Sequence, residues 1–132
     1  MLRMEVLLVD DQAITVQVYA AAVRKTFGGA KVHIAVDLPE ALQIAAGHAL
    51  DLVLLDLSLT SSTGIATLER FRKQFPAVPV LVVSSAEDPE SIRACLDAGA
   101  RGYMPKMSAV VGLPAAMKAI TEGGSYVPPQ AN

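Results

Sequence analysis

The chain has 132 residues, 52% of them hydrophobic and 18% charged, which is one domain's length and too apolar for disorder. Lys and Arg number 11 against 13 Asp and Glu, a net charge of −2 that disfavours non-specific nucleic-acid binding. A single cysteine, Cys95, excludes a disulfide framework and a cysteine zinc site. No apolar run approaches the ~20 residues that span a bilayer, and Met1–Glu5 lacks signal-peptide architecture.

In chain order, strands and helices alternate. Val6–Val9 is a short apolar run ending at Asp10-Asp11, as in a strand buried on both faces. From Gln12 to about Phe27, Ile14, Val18, Ala21, Ala22 and Lys25 fall at helical spacing, and Gly28-Gly29 stops the helix. Val32–Val36 is a second strand. Pro39 suits the first position of a helix that runs through Ala41, Leu42, Ile44 and Ala45 to Gly47. Leu52–Leu55 is a third strand, ending at Asp56. After a polar loop, Gly64 opens a helix carrying Ile65, Leu68, Phe71 and Phe75. Val80–Val83 is a fourth strand, ending at Ser84. Asp88-Pro89 reads as an N-cap with proline behind it, leading Ile92, Cys95 and Leu96 to a stop at Gly99. Gly102–Met104 is a short fifth strand, ending near Lys106. A last helix carries Leu113, Met117 and Ile120 to Gly123-Gly124.

Five strands alternating with five helices predict an α/β fold, a parallel sheet with helices on both faces. Ligands of such sheets sit beyond the carboxyl ends of the strands. Asp10-Asp11, Asp56, Ser84 and Lys106 stand at four of those ends. Three carboxylates together repel one another, so a divalent cation is their natural neutraliser, and all-oxygen ligands select Mg²⁺ over Zn²⁺. A lysine and a hydroxyl facing that ion are what a phosphoryl group needs. Singly, each residue has a plainer role: a helix cap, a turn hydroxyl, a solvated lysine. Their conjunction at four strand ends is what points to chemistry. His33 and His48 have no partner in this pattern and read as surface residues. Cys95, on an apolar helix face, reads as core.

The constellation Asp10-Asp11, Asp56, Ser84 and Lys106, with Tyr103 before the lysine, resembles the receiver domain of bacterial response regulators. The resemblance runs from about Glu5 to Glu122. It is most specific at Leu7–Gln12, Asp51–Asp56 and Gly99–Lys106. The last stretch and the tail Gly123–Pro129 resemble the LuxR-type subfamily.

The resemblance implies a five-stranded flavodoxin-like sheet of order 2-1-3-4-5. Residues 1–122 would form the receiver domain, and 123–132 would begin a linker or tail. Asp56 would be the phosphoacceptor, taking a phosphoryl group from a sensor histidine kinase or a phosphotransfer protein. Asp11 and Asp56 would bind Mg²⁺ directly with the backbone carbonyl of Ser58, and Asp10 mostly through water. Lys106 and Ser84 would contact phosphoryl oxygens, and Tyr103 would turn inward behind Ser84. The surface of the fourth helix, fifth strand and fifth helix would then switch. The chain would catalyse only its own phosphoryl transfer and dephosphorylation. It is expected to be cytoplasmic, to touch no membrane, to form a homodimer in some states, and to reach DNA only through an output domain outside these residues. A fragment ending at the linker is expected over a stand-alone receiver. The alternatives are an unphosphorylated pseudo-receiver serving as an interaction module, and a haloacid-dehalogenase-type phosphatase. The second is opposed by Ser58, which stands where that pattern needs an acid.

Three departures from the family pattern carry expectations. Thr60 replaces a common proline, which predicts a looser loop. Met107 follows Lys106, which predicts a trans bond there. Pro114 is expected to delay the last helix until Gly112 or Leu113, with Gly112 as N-cap. Ser108–Val111 would then be a loose turn that leaves Val110 and Val111 partly exposed.

Overall fold

The computed structural model describes residues 3–59 and 64–131. Among them the strands are β1 (Glu5–Val9), β2 (Lys31–Ala35), β3 (Leu52–Asp56), β4 (Val80–Ser84) and β5 (Gly102–Pro105). The α-helices are α1 (Ala13–Thr26), α2 (Leu38–Gly47), α3 (Ile65–Gln74), α4 (Pro89–Asp97) and α5 (Ala109–Thr121). All strand pairs are parallel and the order is β2-β1-β3-β4-β5, the expected doubly wound arrangement.

Alternation along each strand splits the core into two layers. Leu7, Val9, Val53, Leu55, Val80 and Val82 face α2, α3 and α4, where they meet Leu38, Leu68, Phe71 and Ile92. Val6, Leu8, Leu52, Leu54, Leu81 and Val83 face α1 and α5, where they meet Val16, Val23, Leu113 and Met117. Both faces of the central strands are therefore dry, which is why those strands are continuous apolar runs. Cys95 is buried in the first layer, as expected, and burial raises its thiol pKa. Asp88 caps α4, its carboxylate accepting from the Ser91 amide at 2.9 Å. Asp37 caps α2 in the same way through the Glu40 amide at 2.9 Å.

Two local expectations are corrected. The buried face of α1 is Val16, Tyr19, Ala20 and Val23, while Ile14 and Val18 are exposed. The helix is apolar on most sides, so periodicity alone did not select the inner face. The late start of the last helix is also wrong. A 3-10 turn over Lys106–Ser108 leads directly into α5, and Pro114 lies inside that helix. Burial of Ala109, Leu113, Ala116, Met117 and Ile120 on one face requires helical register from the first residue. Gly112 is not a cap: a β-carbon there would lie 2.9 Å from the Met104 Cε, so its bare backbone lets α5 sit close over β5. The carbonyl that Pro114 leaves without an amide is that of Val110, a residue 75% exposed, so water can reach it. Val110 and Val111 are exposed, as expected, although within a helix. The described residues contain no cis peptide, in keeping with the trans bond expected before Met107. The expectation for the Thr60 loop falls on 60–63, outside the described residues.

The tail folds back along β5. The Tyr126 amide donates to the Arg101 carbonyl at 2.9 Å, and the Tyr103 amide donates to the Tyr126 carbonyl at 3.2 Å. A short 3-10 turn at Pro129–Ala131 then buries Ala131 among the core residues of the α4 layer.

Pro114→Ala restores one helical hydrogen bond and removes a ring clash. It should stabilise the domain by about 1–3 kcal/mol, read as a higher midpoint in thermal or urea unfolding. A lowered midpoint would show that the packing of the ring outweighs the missing bond.

Candidate functional site

Because every strand runs the same way, the carboxyl ends of β1, β3, β4 and β5 share one edge. Asp10, Asp56 and Ser84 are buried there, with Asp11 half-buried beside them. Asp10, Asp11 and Asp56 each bring one carboxylate oxygen within 4.8 Å of the others.

The Asp56 carboxylate is held from two sides. Its Oδ1 accepts from the Ser58 amide at 2.9 Å, which fixes the Ser58 backbone against it. The Lys106 ammonium, carried past the end of β5, lies 3.4 Å from both Asp56 oxygens. Asp10 is held through Oδ1, which accepts from the Gln12 amide at 2.8 Å. Its Oδ2 is buried without a hydrogen-bond partner among the described residues. Burial pushes the Asp10 pKa up, and the charges of Asp56 and Asp11 push the same way, against the Gln12 amide and Lys106. Tyr19 on α1 lies beside the same carboxylates, and its phenol is raised by burial and then by Asp10 and Asp56.

A second group of contacts runs from Ser84 towards α4. Ser84 Oγ accepts from the Ala86 amide at 3.3 Å, and the Tyr103 hydroxyl donates to the Ala86 carbonyl at 2.7 Å. Tyr103 is 1% exposed, so its ring already lies inward behind Ser84. Burial raises its pKa, and a hydrogen bond with Ser84 opposes that. An open cavity of about 560 Å³ adjoins this group, with Ser58, Ser84, Ala86 and Tyr103 in its wall.

The donor set fits a hard divalent cation. All three ligand groups are carboxylates, and one of them, Asp10, has a buried oxygen with no hydrogen-bond partner among the described residues. The fold thus sets the residues picked out at the strand ends, Asp10, Asp11, Asp56, Ser84 and Lys106, on one edge, with Ser58 and Tyr103, which the family resemblance added, beside Asp56 and Ser84. Two features escaped the sequence reading. Tyr19 carried no signal beyond its place on a helix. His33 and His48 are not lone surface residues, since both lie against Glu5 at the opposite edge of the sheet.

An acidic cluster, a lysine and a hydroxyl at the carboxyl edge of a 2-1-3-4-5 sheet define a phosphoryl-handling regulatory domain. Residues 6–118 match the response regulator receiver domain family, and the chain belongs to it. The glycerol metabolism activator of Pseudomonas putida is 30% identical over 126 residues, covering 95% of this chain and 57% of that protein. The DNA-binding transcriptional activator EvgA of Escherichia coli K12 is 28% identical over 128 residues, covering 95% of this chain and 61% of that protein. The crystal structure of a LuxR-family two-component response regulator from Aurantimonas sp. SI85-9A1 superposes with a TM-score of 0.89 at 28% identity, covering 98% of this chain and 93% of that one. This chain is a regulatory receiver domain of the two-component type, related to LuxR-family regulators. It spans less than two thirds of the length of these curated relatives. No helix among the described residues is long and apolar enough to cross a membrane.

The raised Asp10 pKa has a definite sign. Folding favours the protonated carboxyl, so the contribution of Asp10 to stability falls as pH rises from its ordinary value through the raised one. Without divalent cations at neutral pH, Asp10→Asn should therefore raise the unfolding midpoint by roughly 2–8 °C, the shift that about 1 kcal/mol produces in a small domain. The gain should vanish at acid pH. A lower midpoint at neutral pH would show that the carboxylate is stabilising.

Proposed function

We propose that Asp56 is the phosphoacceptor of this receiver domain and that its donor is a phosphohistidine on a sensor histidine kinase or a phosphotransfer protein. The reading rests above all on the Lys106 ammonium lying 3.4 Å from both oxygens of a buried carboxylate that ends the central strand.

An Asp56 oxygen attacks the phosphorus. The oxygen–phosphorus bond forms as the phosphorus–nitrogen bond breaks, and the histidine leaves. Asp11, Asp56 and the backbone carbonyl of Ser58 would hold Mg²⁺, with Asp10 assisting beside them. When bound, the ion supplies positive charge against the phosphoryl oxygens. Lys106, now beside Asp56, pairs with one phosphoryl oxygen, and the Ser84 hydroxyl donates to another. Burial of the acceptor excludes most water from the acyl phosphate. Movement of Ser84 is passed through Ala86 to Tyr103, and so to the surface of α4, β5 and α5.

Residues 1–122 are the receiver unit in this reading, and 123–132 lead from it towards an output domain. EvgA is a DNA-binding transcriptional activator, which supports a DNA-binding output, with this chain itself making no contact with nucleic acid. The setting is cytoplasmic, where kinases and promoters are both within reach.

Incubation with a small acyl phosphate and Mg²⁺ should add one phosphoryl group, located by mass spectrometry on the peptide containing Asp56. Asp56→Asn should abolish it. Label recovered on another residue at wild-type yield would overturn the assignment.

A further inference from the structure

A second group of ligating side chains lies at the opposite edge of the sheet, and nothing in phosphoryl transfer uses it. Glu5 opens β1. His33 is the third residue of β2, paired in register with Leu7, and shares the sheet face of Glu5 and Leu7. His48 follows directly on the last residue of α2. These residues are far apart in sequence, and only the crossover of α2 beneath the sheet joins them.

His33 Nε2 lies 3.0 Å and His48 Nδ1 3.5 Å from the same oxygen, Glu5 Oε1. All three ligand atoms fall within 4.8 Å of one another. The two imidazoles are tilted by 44° with centroids 4.2 Å apart. His33 Nε2 stands at hydrogen-bond distance from the Glu5 oxygen, and His48 Nδ1 lies just beyond it. The same three atoms can instead turn lone pairs towards one cation. Ligands about 2.0–2.1 Å from a tetrahedral ion stand roughly 3.4 Å apart; His48 already stands at 3.5 Å from the Glu5 oxygen, and His33, at hydrogen-bond distance of 3.0 Å, has only to draw back slightly to admit the ion.

We propose that Glu5, His33 and His48 form a second metal site, specific for a borderline transition ion such as Zn²⁺. Two imidazoles and one carboxylate suit that ion and not Mg²⁺, which keeps the site chemically separate from the Asp10–Asp11–Asp56 cluster. The ligands are pre-positioned. The Glu5 amide donates to Asp51 Oδ2 at 2.8 Å and the Glu5 carbonyl accepts from the Asp51 amide at 2.8 Å, locking its backbone. The His33 side chain is 12% exposed and that of His48 is 37% exposed, so the ion enters past His48. Three protein ligands leave a fourth position for water or for a donor from another molecule. The bound ion ties edge strand β2 and the end of α2 to β1, and so stabilises the folded chain by an amount that rises with the logarithm of free zinc.

The test is calorimetric titration of the whole chain with Zn²⁺ in excess Mg²⁺, which fills the acidic site. It is paired with the visible spectrum of the Co²⁺-loaded chain. One ion should bind with micromolar affinity, and Co²⁺ should give the strong visible bands of a four-coordinate site. His48→Ala, at an exposed helix end where the fold tolerates change, should weaken zinc at least tenfold. Glu5→Gln should do the same, with circular dichroism unchanged in both. Absence of zinc binding in Mg²⁺, or binding that survives both substitutions, would overturn the site. Neither result bears on phosphorylation of Asp56.

Discussion

The structure turns on carboxylates forced together at the dry end of a parallel sheet. Asp10 and Asp56 sit at the ends of adjacent central strands, both almost fully buried, with Asp11 alongside. A fold this apolar does not place such charges together without compensation. Lys106 supplies part of it from the end of β5, and the unmatched Asp10 oxygen marks where more positive charge belongs. A cation or a new charged group placed at this cluster would change the balance among charges that the fold already holds close together.

The way outward from that cluster is short. Ala86 is shared between Ser84 and Tyr103, giving its amide to one and its carbonyl to the other. The Ser84 hydroxyl is thus joined to the buried phenol through one residue of the β4–α4 loop. The tail bears on the same region, because Ala131 packs in the α4 layer and Tyr126 pairs beside β5. Tyr126 and Ala131 thus lie against elements next to the site.

Much of this was legible in the sequence because it is local. Val6–Val9, Leu52–Leu55 and Val80–Val83 are apolar throughout because both their faces are covered, and each ends at a polar residue that the fold turns to one edge. Asp88-Pro89 announced a helix start through capping chemistry alone. What escaped was decided at a distance. Pro114 argued locally against a helix, yet five buried side chains along α5 impose one. The pairing of Tyr126 with β5 depends on an open sheet edge that the sequence does not display. His33 and His48 meet at Glu5 only through the β2–α2 crossover, so no spacing rule brings them together.

Asp10, Asp11 and Asp56 stand close enough to make one site for a hard divalent cation. Calorimetric titration with Mg²⁺ tests it most directly, comparing the wild-type chain with Asp11→Ala. A single site is expected in the wild type, with an affinity that falls by an order of magnitude or more when the Asp11 carboxylate is removed. Equal affinity in the two chains, or no Mg²⁺ binding in either, would contradict it.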